Sequence, residues 1–551
     1  MSIEESRRQL SAAREQYEAR VREILEAGSE APREARTQSG LPLKLLYTPL
    51  DVEGTDYRRD LGFPGAYPFT RGVFSAGYHA REWTRRQVVG LGTAEETNRR
   101  LERLFTEGQT GFSVCGMGYQ SYDSDDERSL GHLGRGGVWI DTLADMETLL
   151  CGIDMEAISL NQIGASIPVF AMLLAVAQRR GIPWERLRGT IQNWAVPGGE
   201  GPELRGNGSI DIIEFCTKHM PRWNHSSISV RNLRDSGATA PQEMAFGLYQ
   251  GAFTVRAAMA RGLDVDAFAP RISFFLSAES DFLEEVAKFR AMRRMWARLM
   301  RERFRARNPR SWAMRFHVQT SALSLTAEQP LNNLVRSTLH ALAAVLGGAH
   351  SMSVNSFDEV LAIPTELSAT LSLRTQEIIL HESGVAKVID PLGGSYCVEA
   401  LTNQLEAEAL KLLETLEAMD PVAAFQWMDA ETEEEAARRQ RAFEADQRVV
   451  VGLNRFRVED EAWLPELPLF EYDPGWREKQ IARLQRVRAE RDPVLAGAAR
   501  KRLAEAYRAK ANIIPPMVEA VKAHLSIGEI ARVREEVLGE PPFTGAMYFW
   551  R

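Results

Sequence analysis

A regular alternation of short apolar segments and longer amphipathic segments between about residues 110 and 392 constrains the fold of this chain most. Within the longer segments, apolar residues recur at steps of three or four, as Phe282, Val286 and Phe289 do, which is the spacing of an amphipathic helix. The short segments are rich in β-branched or apolar residues and predict strands at 112–115, 158–160, 189–192, 226–231, 272–276, 314–319, 351–354 and 387–389. Eight strand–helix repeats predict an α/β protein with a (β/α)8 TIM barrel.

A doubly wound parallel sheet is the alternative, because the pattern alone does not show that the sheet closes. No dinucleotide-binding fingerprint or P-loop supports that alternative. We expect three regions along the chain. Residues 1–75 form an N-terminal helix and an extended, Pro- and Gly-rich arm that wraps the body, 76–400 form the substrate-binding barrel, and 401–551 form a charged helical C-terminal region.

Composition excludes several classes of protein. The 67 basic and 75 acidic residues leave a net charge of −8, which predicts binding to neither nucleic acid nor an anionic membrane. The four cysteines lie far apart with no CxxC pair, so we expect buried thiols in a reducing compartment and no metal site or disulfide framework. The first twenty residues are charged, and no apolar run is long enough to span a membrane, so we expect a cytoplasmic protein.

Many sequence blocks resemble the methylmalonyl-CoA mutase family of adenosylcobalamin-dependent acyl-CoA mutases. Any one block is weak evidence, but ten in the right order at similar spacing are specific. They are YPFTRG at 67–72, REWTRRQ at 81–87, GQTG at 108–111, YDSD at 122–125, GTIQN at 189–193, FAPRISFF at 268–275, RFHVQTSALSLT at 315–326, NNLVR at 332–336, NSFDE at 355–359 and IDPLGGSY at 389–396. The resemblance implies a TIM barrel and a radical-based carbon-skeleton mutase, an isomerase.

The length of the chain most resembles the large, substrate-binding subunit of the split isobutyryl-CoA and 2-hydroxyisobutyryl-CoA mutases. That resemblance implies that adenosylcobalamin is held mainly by a separate small subunit whose DxHxxG motif supplies the axial histidine. None of the nine histidines lies in such a motif, so we expect no cobalamin-binding domain on this chain. The resemblance also implies a homodimeric core within a heterotetramer, an acyl-CoA substrate and possible assistance from a G-protein chaperone.

Family positions that this chain retains are candidate site residues. The resemblance implies that Gln192 faces the substrate and that Arg81, Thr84 and Arg86 lie at the coenzyme A site, with Arg81 meeting phosphate. Arg315, His317 and Gln319 alternate along one predicted strand and therefore point to one face, which is the barrel lumen in the family. Two further positions match the family. They are Ser113, a small polar lumen residue, and Glu382, a carboxylate near the adenosyl ribose of the cofactor.

The segment WNHSSISVRNLRDSGA at 223–238 departs from the family most clearly. Where the family has a Tyr-His pair beside the reacting carbon and the thioester oxygen, this chain has Arg231 and Asn232. Val88 stands where methylmalonyl-CoA mutase has a tyrosine over its substrate. The segment after GTIQN is shorter and lacks the arginine that clamps a free carboxylate, a role for which Arg231 or Arg205 is a candidate substitute. We therefore expect an unusual acyl-CoA as substrate, and not methylmalonyl-CoA.

Two main interpretations follow from these departures. In the first, the chain is an active mutase with a rebuilt pocket, because the changes cluster at one predicted end of the barrel. In the second, it is a catalytically silent paralogue that serves as a structural partner. A mutase-like barrel that rearranges a substrate without coenzyme A is a variant of the first interpretation, and a weaker interpretation is a barrel enzyme that no longer uses cobalamin.

Overall fold

A computed structural model describes residues 3–26, 35–115, 122–129, 137–164, 166–197, 208–458 and 467–539. At its centre lie short parallel strands in two hydrogen-bonded groups. One group has the order β1-β8-β7-β6-β5 and the other β2-β3-β4. The strands are β1 (Thr84–Arg86), β2 (Leu160–Gln162), β3 (Gly189–Ile191), β4 (Trp223–Asn224), β5 (Ser226–Ser229), β6 (Ile272–Ala278), β7 (Arg315–Thr320) and β8 (Ser351–Ser353).

Backbone hydrogen bonds join the two groups into a closed ring. The Thr110 N–H donates to Arg85 O at 3.0 Å and the Phe112 N–H donates to Ser159 O at 3.0 Å, so the segment 111–114 lies in parallel between β1 and β2. On the other side, the Ser227 N–H donates to Asn193 O at 3.2 Å. Strands β4 and β5 together make one position in the ring, which is therefore an eight-position parallel barrel. The predicted TIM barrel is confirmed.

The predicted strand at 387–389 is wrong. Residues Val385–Lys387 form a 3-10 turn after the last barrel helix, and Val388 is largely exposed. The barrel position that it was expected to fill belongs to β1, whose sequence Thr84–Arg86 carries no apolar run. Thr84 and Arg86 turn their polar side chains into the lumen, so the usual apolar signal of a buried parallel strand is missing there.

Helices follow most barrel positions and form the outer layer. Helix α10 packs against both α8 and α14, and its buried Phe289 and Met292 lie in the same apolar cluster as Phe316 of β7. The helices are α1 (Ile3–Glu26), α2 (Gly77–Ala80), α3 (Ala94–Thr106), α4 (Leu143–Leu149), α5 (Ile167–Arg179), α6 (Ser209–His219), α7 (Arg231–Asp235), α8 (Ala240–Ala260), α9 (Val265–Phe268), α10 (Phe282–Arg298), α11 (Pro309–Trp312), α12 (Asn332–Leu346), α13 (Glu366–His381), α14 (Tyr396–Glu417), α15 (Pro421–Glu444), α16 (Trp476–Glu490), α17 (Pro493–Arg508), α18 (Ile514–Lys522) and α19 (Ile527–Leu538).

The C-terminal helices are tied to the barrel through polar contacts. Asp141, before α4, accepts hydrogen bonds from Trp139 Nε1 at 2.9 Å and from Gln480 Nε2 of α16 at 2.9 Å. Asp123 accepts from Ser526 Oγ at 2.8 Å and pairs with Arg488 at 2.7 Å. Among the described residues, no helix has both the length and the apolar character needed to cross a membrane.

Candidate active site

Two cavities lie along the axis of the barrel. A cavity of about 410 Å³, the N-face cavity, opens at the amino ends of the strands. A cavity of about 550 Å³, the C-face cavity, opens at their carboxyl ends. Gln192 after β3 and Phe275 of β6 line both cavities. Small polar residues such as Ser227, Ser273 and Ser351 take the place of the bulky residues that usually fill a TIM barrel.

The N-face cavity is strongly basic. Its two acidic residues are both ion-paired: Glu82 with Arg85, and Asp390 with Arg71 and Arg290. Its lining contains the arginines Arg71, Arg81, Arg86, Arg188, Arg222, Arg271, Arg293, Arg310 and Arg315.

The positive charges in this cavity act on one another. Burial and the nearby charges of Arg315, Arg310 and Arg222 lower the pKa of Arg271 to about 10. Burial, Arg310 and Arg81 likewise lower the pKa of Arg315. Guanidinium groups held close together without neutralising carboxylates form a site for a ligand with several negative charges, such as a polyphosphate.

Arg86 differs from the other arginines because the protein itself satisfies its guanidinium. Its Nε donates to Ser351 Oγ at 2.9 Å, its Nη1 donates to Ser159 O at 3.0 Å and to Phe112 O, and its Nη2 donates to Ser159 Oγ at 2.8 Å. Burial lowers its pKa to about 9. Arg86 is therefore a cross-link between barrel strands. Arg81 is exposed at the rim and is the freer of the two cations.

Strand β7 places Arg315, His317 and Gln319 along the lumen, with the first two in the N-face cavity and Gln319 in the C-face cavity. His317 Nδ1 lies 2.8 Å from Ser351 Oγ, and Ser353 Oγ lies 3.3 Å from His317 Nε2. Burial, followed by the charges of Arg86 and Arg231, holds the pKa of His317 well below its usual range. His317 is therefore a neutral hydrogen-bonding group and not a cation.

Arg231 and Asn232 lie at the start of α7 and line the C-face cavity together with Val88. The Nη2 of Arg231 pairs with Asp235 Oδ2 at 2.7 Å, and its guanidinium carbon lies 5.9 Å from the centroid of the Phe275 ring. The cation therefore has a carboxylate partner from its own helix and an aromatic face beside it.

Glu359 is a residue of the C-face cavity that the sequence analysis missed, although it lies in the NSFDE block. Burial, aided by the nearby charges of Asp358 and Asp235 and opposed by that of Arg231, raises its pKa to about 7. The sequence signal that could have identified Glu359 is the NSFDE block itself, because a block that matches the family includes polar residues as well as apolar ones.

The structure does not bring every predicted residue to these cavities. Glu382 is exposed at the end of α13 and lines neither cavity. Ser113 is buried in the wall, where its hydroxyl accepts a hydrogen bond from Asn161 Nδ2 at 2.9 Å. Thr84 lines the N-face cavity, and Arg205 lies outside the described residues.

Comparison with known proteins agrees with this architecture. The family model described as methylmalonyl-CoA mutase matches residues 36–540. The chain is 41% identical over 557 residues to the 2-hydroxyisobutanoyl-CoA mutase large subunit of Aquincola tertiaricarbonis, and the match covers 96% of this chain and 97% of that protein. It is 40% identical to a methylmalonyl-CoA mutase of Cereibacter sphaeroides, covering 91% of this chain and 72% of the relative. The mitochondrial methylmalonyl-CoA mutase of Homo sapiens is 39% identical, with 92% and 68% covered.

A (β/α)8 barrel with a basic mouth and polar cavities along its axis is the architecture of a mutase barrel. The chain belongs to the methylmalonyl-CoA mutase family, a family of adenosylcobalamin-dependent mutases. Within the described ranges, no cluster of His, Cys, Asp and Glu has the arrangement of a metal site.

Proposed function

We propose that this chain is the large, substrate-binding subunit of an adenosylcobalamin-dependent carbon-skeleton mutase that acts on an acyl-CoA other than methylmalonyl-CoA. The observation that carries the proposal is the pair of cavities along the barrel axis, which share Gln192 and Phe275 in their walls. The arginine-lined N-face cavity lies on one side of Gln192 and Phe275, and the C-face cavity with Arg231 and Asn232 lies on the other.

Coenzyme A suits these cavities in both charge and shape. Its phosphates match the guanidinium groups of Arg81, Arg222, Arg271, Arg310 and Arg315, which can form charge-assisted hydrogen bonds to phosphate oxygens. Its pantetheine arm is narrow and carries amide groups, and the lumen offers hydroxyls and amides along the same axis. We assign the thioester to the carboxyl ends of the strands, where a TIM barrel carries its catalytic groups.

Gln192 and Asn232 are the groups that we assign to the acyl end. Gln192 is 2% exposed, and its Oε1 has no hydrogen-bond partner among the described residues. Asn232 has an NH2 group that can donate to the thioester oxygen, but it does not transfer a proton at neutral pH. Their role is to hold the acyl group in place while it rearranges, in a channel that keeps out bulk water.

The C-face cavity fits the expected cofactor. Apolar residues including Leu104, Ile163 and Ile363 line it beside polar atoms that lack partners among the described residues, such as Gln87 Nε2 and Asn355 Nδ2. A nucleoside with ring nitrogens and ribose hydroxyls matches such a lining. Glu359 in this cavity, and not the exposed Glu382, is the carboxylate that we assign to the adenosyl ribose. When bound, adenosylcobalamin supplies the radical that starts the rearrangement.

A small cobalamin-binding subunit is the partner that we propose. The high mutual coverage with a protein named as a large subunit supports this. We further propose that two copies of this chain form the core of a heterotetramer. A G-protein chaperone is a further proposed partner.

Reconstitution tests this function. The chain is mixed with a small subunit that carries DxHxxG and with adenosylcobalamin, and a panel of uncharged and dicarboxylic acyl-CoA thioesters is added. We expect a substrate-dependent electron paramagnetic resonance signal and an isomerised product with at least one uncharged acyl-CoA. Binding of CoA thioesters without any radical signal or product across the panel would instead indicate a catalytically silent paralogue.

A further inference from the structure

The charge of Arg231 is balanced inside its own helix. Arg231 is the first residue of α7 and Asp235 is the last, and their side chains are only 19% and 15% exposed. Their 2.7 Å ion pair at the wall of the C-face cavity is therefore well shielded from water.

Asp235 is held in this position from the opposite side. Its Oδ1 accepts hydrogen bonds from Ser277 Oγ and Ser321 Oγ, both at 2.9 Å. Ser277 belongs to β6 and Ser321 follows β7, so two neighbouring barrel strands orient the carboxylate. Its Oδ2 is left facing Arg231, and a rotation that released Arg231 would break both serine hydrogen bonds.

Among the described residues that line the C-face cavity, the other cation is Arg100, whose Nη1 donates to the carbonyl oxygens of Pro364 at 3.0 Å and Thr365 at 3.5 Å. Glu359 adds a carboxyl group, and its negative charge, when present, would repel a second carboxylate. A carboxylate bound away from water needs a cation whose charge and donors are not already engaged, and the cation beside Asn232 is engaged by Asp235.

We propose that Asp235 is a specificity-determining residue that closes the acyl pocket to substrates with a free carboxylate. The substrate class is then the CoA thioesters of uncharged acyl groups. This inference rests on the proposed function, because it assumes that a CoA thioester reaches the C-face cavity.

Calorimetric binding to the purified chain tests the inference without cofactor or turnover. The three probes are coenzyme A, isobutyryl-CoA and methylmalonyl-CoA. We expect isobutyryl-CoA to bind the unmodified chain about tenfold or more tightly than methylmalonyl-CoA, a discrimination that one unpaired charge can produce. Asp235→Asn should tighten methylmalonyl-CoA binding by about tenfold and leave isobutyryl-CoA binding within about twofold.

Asparagine at position 235 keeps an oxygen for Ser277 and Ser321, so the substitution removes the charge and preserves the supporting hydrogen bonds. Asp235→Glu is the matched control that keeps the charge, and it should not gain affinity for methylmalonyl-CoA. Equal binding of the two thioesters to the unmodified chain overturns the inference even if no variant folds. Failure of all three probes, coenzyme A included, overturns the proposed function itself, and the inference with it.

Discussion

Arg86 donates to both Ser159 Oγ, at 2.8 Å, and Ser159 O, at 3.0 Å, across the amino ends of the barrel strands. The same guanidinium also reaches Ser351 Oγ at 2.9 Å, on the other side of β1. A residue that the family resemblance places at the coenzyme A site therefore has its donors occupied by the protein. Its main contribution is to barrel stability.

Replacing Arg86 by lysine should destabilise the fold more than it weakens coenzyme A binding. A lysine keeps the charge but cannot reach all of these acceptors, and buried acceptors without donors cost roughly 2–4 kcal/mol in total. Urea denaturation measures the loss. Arg81→Ala is the matched comparison. It should change stability by no more than about 0.5 kcal/mol and weaken coenzyme A binding, more so at low salt. Normal stability of Arg86→Lys with a large loss of coenzyme A affinity would contradict this assignment.

Asn232→Ala should lower kcat/KM of the reconstituted enzyme by about tenfold to a hundredfold. The reason is the loss of one hydrogen bond to the thioester oxygen, for which 1–3 kcal/mol is a reasonable range. Steady-state assays with the best uncharged acyl-CoA measure this. Binding of coenzyme A alone should be unchanged, because the phosphates lie at the other end of the barrel. An unchanged rate for the variant would remove Asn232 from the proposed mechanism.

Glu359→Gln should reduce the pH dependence of stability between about pH 4.5 and 7. The pKa of Glu359 is raised from 4.5 to about 7 in the folded chain, mainly by burial. Below pH 4.5 the carboxyl is neutral in both states. As the pH rises toward 7 it ionises only in the unfolded chain, and this lowers the free energy of unfolding.

The stability lost in this window is at most roughly 3 kcal/mol, from 1.36 kcal/mol for each pKa unit. Urea denaturation at several pH values, for the chain and its Glu359→Gln variant, gives the difference directly. We expect the variant to gain stability relative to the unmodified chain as the pH rises. A constant difference across the window would show that Glu359 ionises normally.

Lys288→Met should be strongly destabilising. Lys288 of α10 is fully buried, and its Nζ donates to Glu243 Oε2 at 2.6 Å, to Ser277 O at 2.7 Å and to Glu285. Methionine has a similar shape but leaves both carboxylates without this cation, and breaking a buried ion pair in this way costs about 3–5 kcal/mol. Lys411→Met removes an exposed pair with Glu408 and should cost at most about 1 kcal/mol. Similar denaturation midpoints for the two variants would argue against a stabilising network around Lys288.

Much of the barrel could be predicted from local pattern, and the exceptions have physical causes. Strands β6 and β7 carry apolar or alternating runs and were predicted within two residues of their bounds. Strand β1 was missed because Thr84 and Arg86 face a polar lumen. The run at 387–389 has the composition of a strand because Val388 and Ile389 are β-branched, but it pairs with none of the described strands.

The sequence by itself determined the family, the barrel and the alternation that directs Arg315, His317 and Gln319 into the lumen, because periodicity and motif order are local properties of the chain. Only the tertiary structure decided which charges are free. It paired Arg231 with Asp235, occupied Arg86 with strand oxygens and brought Glu359, not Glu382, to the C-face cavity. Those outcomes depend on burial and on contacts between segments that are distant in the sequence. A guanidinium group can bind a ligand when it is unpaired, but it is a structural cross-link when the protein uses its donors.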